Sequence, residues 1–182
     1  MTTSRPLLTG KRIRLTAIEP PDHAAIAAWS HDPDYLRNMR TGPAAPESVA
    51  QIAKWINQDA DDPNRFSFAV RLHDSPDMIG LAGLKDIEWA NRSAWLLVGI
   101  GPADQRGRGL GSEAVGLLIQ FAFDELNLHR LALTVVGYNQ RAINTYVGHG
   151  FVEEGSIREA VERDGVRHPL LIFGLLAAER RR

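Results

Sequence analysis

Residues 95–123 combine an apolar strand, a glycine-rich turn and an amphipathic helix, and they constrain the fold more than any other segment. The strand is the run 95–100, the turn is 106–112 (RGRGLGS), and apolar residues then recur at helical spacing to Phe123. A glycine turn that opens a helix exposes backbone N–H groups beside the positive end of the helix dipole. The segment therefore predicts a binding site for phosphate or pyrophosphate.

The spacing of the glycines distinguishes between three kinds of ligand. A P-loop needs G-x-x-x-x-G-K-[ST], but no lysine precedes Ser112. A dinucleotide fingerprint needs G-x-G-x-x-G, whereas these glycines run G-x-G-x-G. The spacing therefore disfavours a nucleotide-binding module and fits R-x-x-G-x-G at Arg106, Gly109 and Gly111.

The hydrophobic pattern of the whole chain predicts one α+β domain, a mixed central β-sheet flanked by about four helices. Strands are predicted at 11–17, 65–72, 78–87, 93–100 and 131–136, followed by a hairpin over 151–176. Helices are predicted at about 19–30, at 47–59, from the glycine turn to 123, and at 140–148. Residues 31–46, rich in proline, are expected to form a loop, and Pro169 predicts an edge strand or a bulge. Trp29 and Trp55 are expected on the apolar faces of the first two helices.

Composition and charge narrow the functional classes. A chain of 182 residues suits one domain, and the absence of cysteine excludes disulfides, thiolate metal sites and a cysteine nucleophile. No signal-peptide pattern and no long apolar run is present, which predicts a cytoplasmic protein with no membrane partner. The net charge of −1 gives no support for nucleic-acid binding. Residues 19–63 carry eight acids against three cations, and form either a solvated surface or an acidic lip that attracts a cationic substrate.

A second motif follows the next predicted strand. Residues 139–151 read NQRAINTYVGHGF, which matches N-x-x-A-I-x-x-Y-x-x-x-G-F and begins 33 residues after Arg106. The two motifs in this order resemble those of the GNAT superfamily of N-acetyltransferases. Residues 151–155, 158–160 and 164–165 further resemble the RimJ/RimL-like branch, which is near the spermidine N-acetyltransferases.

The resemblance implies one acetyl-CoA-dependent N-acetyltransferase domain over residues 1–182, with a core at about 10–176. Acetyl-CoA is then a co-substrate, no metal is required, and the acetyl group passes directly to a primary amine in a ternary complex. The amine is expected on a protein N-terminus or on a small polyamine or aminoglycoside-like molecule. A homodimer is possible, because relatives often form dimers.

The resemblance also implies which residues bind acetyl-CoA. The glycine loop would hold the pyrophosphate through Arg106, Gly107, Arg108, Gly109, Leu110, Gly111 and Ser112. Backbone groups of Val98, Gly99 and Ile100 would meet the pantetheine amides, and Asn139 and Asn144 would bind the same arm. Helix capping is an alternative role for Asn139, and an exposed helix position is the alternative for Asn144.

Two residues are expected to carry the chemistry. By its position in the second motif, Tyr146 would give its proton to the departing thiolate, or else it is a core aromatic. Many relatives carry a glutamate on the strand before the loop, but residues 95–100 contain no acid. Glu88, Asp86 and His31 are the candidate bases, Glu88 foremost, although a surface carboxylate or proton loss to bulk water are open alternatives. The missing acid also leaves open a non-catalytic acyl-CoA-binding sensor, while His129 and His168 are expected to be structural.

Overall fold

The computed structural model describes residues 7–180, in which a seven-stranded mixed β-sheet is flanked by five α-helices. The strands are β1 (Ile13–Thr16), β2 (Phe66–Leu72), β3 (Met78–Glu88), β4 (Ser93–Ile100), β5 (Arg130–Val136), β6 (Val152–Arg163) and β7 (Val166–Leu176). The helices are α1 (Asp22–Trp29), α2 (Pro33–Met39), α3 (Val49–Ala60), α4 (Leu110–Gln120) and α5 (Gln140–Gly148). The α+β prediction with a mixed sheet is thereby confirmed.

The sheet order is β1-β2-β3-β4-β5-β7-β6, and one of its pairings is unusually short. All neighbours run antiparallel except β4 and β5, which are parallel and pair only where Ser93–Trp95 faces Arg130–Ala132. Beyond Trp95 the two strands diverge. The divergence opens a wedge in the middle of the sheet and leaves one backbone edge of β4 without a neighbouring strand.

Helices cover both faces of the sheet. Because side chains alternate along a strand, the adjacent residues Ala69 and Val70 of β2 belong to two separate buried clusters. One cluster forms under α4, which buries Leu110, Ala114, Leu117 and Leu118 on its predicted apolar face. The other forms under α1, α2 and α3, with Trp29 buried and Trp55 half-buried, as expected for the two early helices.

Helix α2 lies where the sequence predicts a loop, and the prediction of about four helices is one short. Asp32 caps this helix, because its carboxylate accepts from the backbone N–H of Asp34 at 2.9 Å and of Tyr35 at 3.4 Å. Pro33 occupies the first helical position, where a missing N–H costs nothing. Asp32 and Pro33 thus form a standard helix N-terminus. The prolines at 43 and 46, which lie after the helix, led to the prediction of a loop for the whole segment.

Pro169 lies inside the sheet, since β7 is flanked by both β5 and β6. The edge position expected for it is therefore wrong. The alternative, a bulge, is confirmed on the opposing strand, where the register of β6 shifts between Ile157 and Val161, opposite residues 168–170. Within residues 7–180, no helix combines the length and the apolar character that crossing a bilayer requires.

Candidate active site

A cleft of about 1020 Å³ opens where β4 and β5 diverge. Its walls come from β4, β5, the glycine loop with the first turn of α4, α5 with the two residues before it, α2, and the β6–β7 turn with the start of β7. Predicted site residues that line it are Val98, Gly99, Ile100, Arg106, Gly107, Gly109, Gly111, Ser112, Asn139 and Tyr146. Arg108, Leu110, Asn144 and Glu88 do not line it.

The glycine loop presents a row of free backbone donors to this cleft. Gly107 and Gly109 have φ angles of 75° and 80°, in the left-handed region that glycine adopts without strain. Among the described residues, the N–H groups of residues 107–112 have no backbone acceptor. These donors lie at the positive end of α4. The loop therefore has the geometry of an anion-binding site, with room for a diphosphate.

The Arg106 side chain faces away from this loop and binds protein groups. Its guanidinium donates to the Asp32 carboxylate at 2.6 Å, to the carbonyl of Ile100 at 3.2 Å, and to that of Gly101. It also lies 5.6 Å from the ring centre of Tyr35. The hydrogen bond from Arg106 holds the pKa of Asp32 below its usual value. The expected phosphate contact of this guanidinium is therefore replaced by a clamp between the start of α2 and the end of β4.

Two other arginines surround the loop. Arg108 does not line the cleft; its guanidinium donates at 2.9 Å to the side chain of Gln105, which does line it. Arg141 of α5 lines the cleft, and its Cζ lies 4.0 Å from where a Cβ would stand on Gly107. Arg141 is thus a candidate phosphate ligand that sequence analysis did not single out. Its position within the second motif, on the helix facing the glycine loop, was the available signal.

Strand β4 is packed tightly from the side of α1 and α2. A Cβ on Gly99 would lie 2.3 Å from the sulfur of Met39, and one on Gly101 would lie 2.0 Å from the ring of Trp29. Both glycines are therefore needed for close packing. The backbone of β4 that faces the wedge is left free, and Val98, Gly99 and Ile100 line the cleft as expected.

Tyr146 is 9% exposed, and its ring packs against Phe151 at 5.8 Å while lining the cleft. Burial raises the pKa of Tyr146 to about 12. The phenol therefore keeps its proton at neutral pH. The ring is thus both part of the core and part of the cleft wall, and its role as proton donor stays a prediction.

The two predicted asparagines differ in their surroundings. Asn139 lines the cleft and also caps α5, accepting from the backbone N–H of Ala142 at 3.1 Å. Asn144 accepts a hydrogen bond from Gln140 at 2.8 Å and lies outside the cleft. The Leu110 side chain is buried at 3% exposure in the core, so only its backbone can face a ligand.

Glu88 lies far from the wedge. It pairs with Ser93 at the opposite end of β4, five residues before Val98, which is about 16 Å at the rise of a β-strand. Its exposed carboxylate accepts from Asn91 at 2.6 Å. Asp86 and His31 are exposed and also absent from the cleft lining. The expectation of Glu88 as base is therefore not supported by its position.

The titratable groups that do line the cleft come from other elements. Asp34 and Asp164 are its two acids within residues 7–180, and Asp164 is held by Arg37 through two bonds of 2.9 and 3.0 Å. His168, expected to be structural, lines the cleft beside Tyr138, with the ring centres 4.9 Å apart.

The acidic segment 19–63 does not form an acidic lip. Five of its eight acids are neutralised in ion pairs with arginines: Asp22, Asp32, Glu47, Asp59 and Asp62. Of the eight, only Asp34 lines the cleft, which also contains Arg37, Arg106, Arg141 and Arg163. Positive and negative groups are therefore mixed at its walls.

The turn between β6 and β7 is fastened to α2 across one end of the cleft. Arg163 Nη2 lies 3.1 Å from the carbonyl oxygen of each of residues 40, 41 and 42. The Arg37–Asp164 pair and a 2.5 Å bond from Tyr138 Oη to the Arg37 carbonyl complete the connection. This bridge, formed by Arg37, Tyr138, Arg163 and Asp164, is part of the cleft wall.

The sequence and the fold are both similar to those of known acetyltransferases. The model of the acetyltransferase (GNAT) domain matches residues 12–152. The chain is 32% identical to a spermidine N(1)-acetyltransferase of Vibrio cholerae over 62% of this chain and 64% of that protein. It is 30% identical to a putative ribosomal N-acetyltransferase of Bacillus subtilis over 56% of this chain and 55% of that one. The crystal structure of Vibrio cholerae spermidine N-acetyltransferase with CoA and spermine shares the fold. Its TM-score is 0.84 and its identity 24%, over 92% of this chain and 97% of that one.

Proposed function

The chain belongs to the GNAT family of acetyltransferases and is an acetyl-CoA-dependent N-acetyltransferase, and we propose that its cleft holds acetyl-CoA and an amine together for direct transfer. The observation that carries the proposal is the free row of N–H groups at residues 107–112, which stands beside the open edge of β4. The row of N–H groups suits a diphosphate, and the open edge of β4 suits an extended chain that carries amides.

The residues present fit acetyl-CoA along the whole cleft. The backbone of the loop from Arg106 to Ser112, Leu110 included, would bind the pyrophosphate, with Ser112 Oγ and the Arg141 guanidinium as further donors. The backbone of Val98, Gly99 and Ile100 would pair with the pantetheine amides as a neighbouring strand would. The Asn139 amide group would contact the same arm, since its oxygen alone is used in capping α5.

Tyr146 is proposed as the acid of the transfer. The amine nitrogen attacks the thioester carbonyl carbon, a C–N bond forms, and the C–S bond breaks as the sulfur leaves with the electron pair. The sulfur then takes the phenolic proton of Tyr146, the nitrogen loses one proton to water as the amide forms, and solvent restores the proton of Tyr146. A tyrosine whose pKa is about 12 is fully protonated at neutral pH and can play this role.

We propose that the amine reaches the cleft already deprotonated. No acid stands on β4, and Glu88 lies at its far end. Of the two acids that line the cleft, Asp164 is paired with Arg37, and Asp34 is exposed to solvent. The proton of the ammonium group would therefore be lost to water before attack. This makes the pKa of the acceptor itself a determinant of the rate.

We propose a peptide N-terminus, with a single positive charge, as the acceptor. The mixed charge of the cleft walls and the neutralised acids of residues 19–63 favour it over a polyamine, because a polyamine needs several free carboxylates. A polyamine is the second candidate. It is favoured by the similarity to the Vibrio cholerae protein, whose name states that it acts on spermidine.

Acetyl-CoA turnover, followed as release of free thiol, tests these proposals. The acceptors should include peptides with varied N-termini, polyamines, aminoglycosides and free amino acids at matched concentrations. Release that depends on peptides, with polyamines at least tenfold slower in kcat/KM, supports the proposed acceptor. The reverse order refutes it and leaves the transfer reaction itself in place.

A further inference from the structure

His149 follows α5 and reaches across to the first turn of α4. Its Nε2 lies 3.0 Å from Oγ of Ser112, a residue that lines the cleft. The ring is half-buried and lies outside the cleft lining. His149 therefore contacts a residue of the proposed pyrophosphate site from behind.

The neighbouring helix is shaped to admit this imidazole. Gly116 stands one turn after Ser112 on the same face of α4, and a Cβ there would lie 3.3 Å from Cε1 of His149. Glycine inside a helix costs stability relative to alanine. The absence of a side chain at residue 116 therefore has a structural use, which is to let the ring reach Ser112.

We propose that His149 is a positioning residue, which donates its Nε2 hydrogen to Ser112 Oγ and so leaves the serine hydrogen directed at the pyrophosphate of acetyl-CoA. The inference rests on the proposed function of the cleft. A serine hydroxyl has one hydrogen and accepts through its lone pairs. If Ser112 gave its hydrogen to the imidazole, only lone pairs would face the phosphate oxygens, which would repel them.

The surroundings of the ring keep it neutral. Burial lowers the pKa of His149, so the neutral ring, which carries one hydrogen, predominates at pH 7. A hydrogen bond with the Ser112 backbone offsets part of that decrease. In the proposed arrangement the one hydrogen is on Nε2, the nitrogen that lies 3.0 Å from Ser112 Oγ.

Substitutions that separate shape from hydrogen bonding test the inference through CoA affinity, measured by titration calorimetry. Ser112→Ala is expected to weaken CoA binding about 10-fold, as for loss of one bond to a charged group. His149→Leu should weaken it about 3- to 10-fold, while His149→Gln, whose amide can donate from a similar position, should stay within about 2-fold of wild type. In a Ser112→Ala background, His149→Leu should have almost no further effect, because the two act through one bond.

Further measurements locate the effect. Dephospho-CoA keeps the pyrophosphate, so His149→Leu should weaken its binding by the same factor as it weakens the binding of CoA. S-acetylpantetheine lacks the pyrophosphate, so its KM should be nearly the same in His149→Leu and in wild type. Gly116→Ala should weaken CoA binding with His149 intact, because the new methyl group displaces the ring. The change should appear in Kd and KM rather than in kcat.

Each outcome has a defined meaning. Equal CoA affinity of wild type and His149→Leu, or full additivity with Ser112→Ala, overturns the inference. If the His149→Leu protein melts far below wild type, the other two variants decide. Weakened CoA binding in His149→Gln, or wild-type CoA affinity in Gly116→Ala, then overturns the inference. Failure of the wild-type protein to bind CoA would refute the proposed function instead, which keeps the two failures distinct.

Discussion

Replacing Arg106 with alanine is expected to lower stability more than it lowers CoA affinity, because its guanidinium binds protein groups. The substitution leaves the Ile100 and Gly101 carbonyls and the Asp32 carboxylate without their shared donor. Each bond between a charged donor and a carbonyl contributes about 1.5 kcal/mol or more. The ion pair contributes at most about 1 kcal/mol, since its side chains are 20% and 32% exposed. The expected total loss is about 3–4 kcal/mol.

Urea unfolding measures this loss directly. With an m-value of about 2 kcal/mol/M, the midpoint should fall by about 1–2 M. Arg108→Ala is the matched control from the same loop, because within residues 7–180 that exposed side chain hydrogen-bonds only to Gln105. It should change stability by less than about 0.5 kcal/mol. A double-mutant cycle between Arg106 and Asp32 should give a coupling of about 1 kcal/mol.

The loss of stability in Arg106→Ala should also depend on pH, because Arg106 lowers the pKa of Asp32. The bond from Arg106 depresses the pKa of Asp32 in the folded protein, so the pair stabilises the fold above the unfolded pKa of about 3.9. The contribution is lost as pH falls through the depressed folded value. The difference between wild type and Arg106→Ala should therefore narrow below about pH 4. An Arg106→Ala protein as stable as wild type at pH 7, yet at least 10-fold weaker for CoA, would show that the guanidinium binds phosphate after all.

Three further predictions concern catalysis and packing. Tyr146→Phe should lower kcat by about 10- to 10⁴-fold with little change in the Kd for CoA, and unchanged turnover would remove this tyrosine from the mechanism. In a pH series, kcat/KM should rise up to the pKa of the acceptor, about 8 for a peptide N-terminus and about 10.4 for an alkyl amine. That limb should persist in His168→Gln, since its disappearance there would identify the imidazole as the base. Gly101→Ala should lower the free energy of unfolding by about 1–3 kcal/mol, read from urea curves, because its Cβ would stand 2.0 Å from the Trp29 ring. A stability equal to wild type would mean that Trp29 moves freely.

Features specified by neighbouring residues could be predicted from the sequence. The glycine turn, the apolar face of α4 and the cap of α5 at Asn139 all depend on residues within a few positions of each other, and the structure contains them. Helix α2 was also locally encoded, by Asp32 and Pro33, but the later prolines suggested a loop. Signals from neighbouring residues are therefore enough to predict a helix, a cap or a turn when each element is considered separately.

Features that depend on distant partners could not be predicted. The role of the Arg106 side chain depends on Asp32, 74 positions away, and the acid Asp22 is neutralised by Arg71, 49 positions away. The remoteness of Glu88 depends on the register of β3 against β4. A linear sequence shows the charges of these residues, but their partners follow from the three-dimensional packing alone.

The wedge between β4 and β5 gives the sheet two interior edges in addition to the outer edges at β1 and β6. Unpaired edges invite other polypeptides to add as strands, which is a route to aggregation. Here α4 and α5 border the interior edges, so that a slender unbranched molecule fits where a folded chain does not. The same gap can therefore select a ligand by its width and limit the addition of further strands at these two edges.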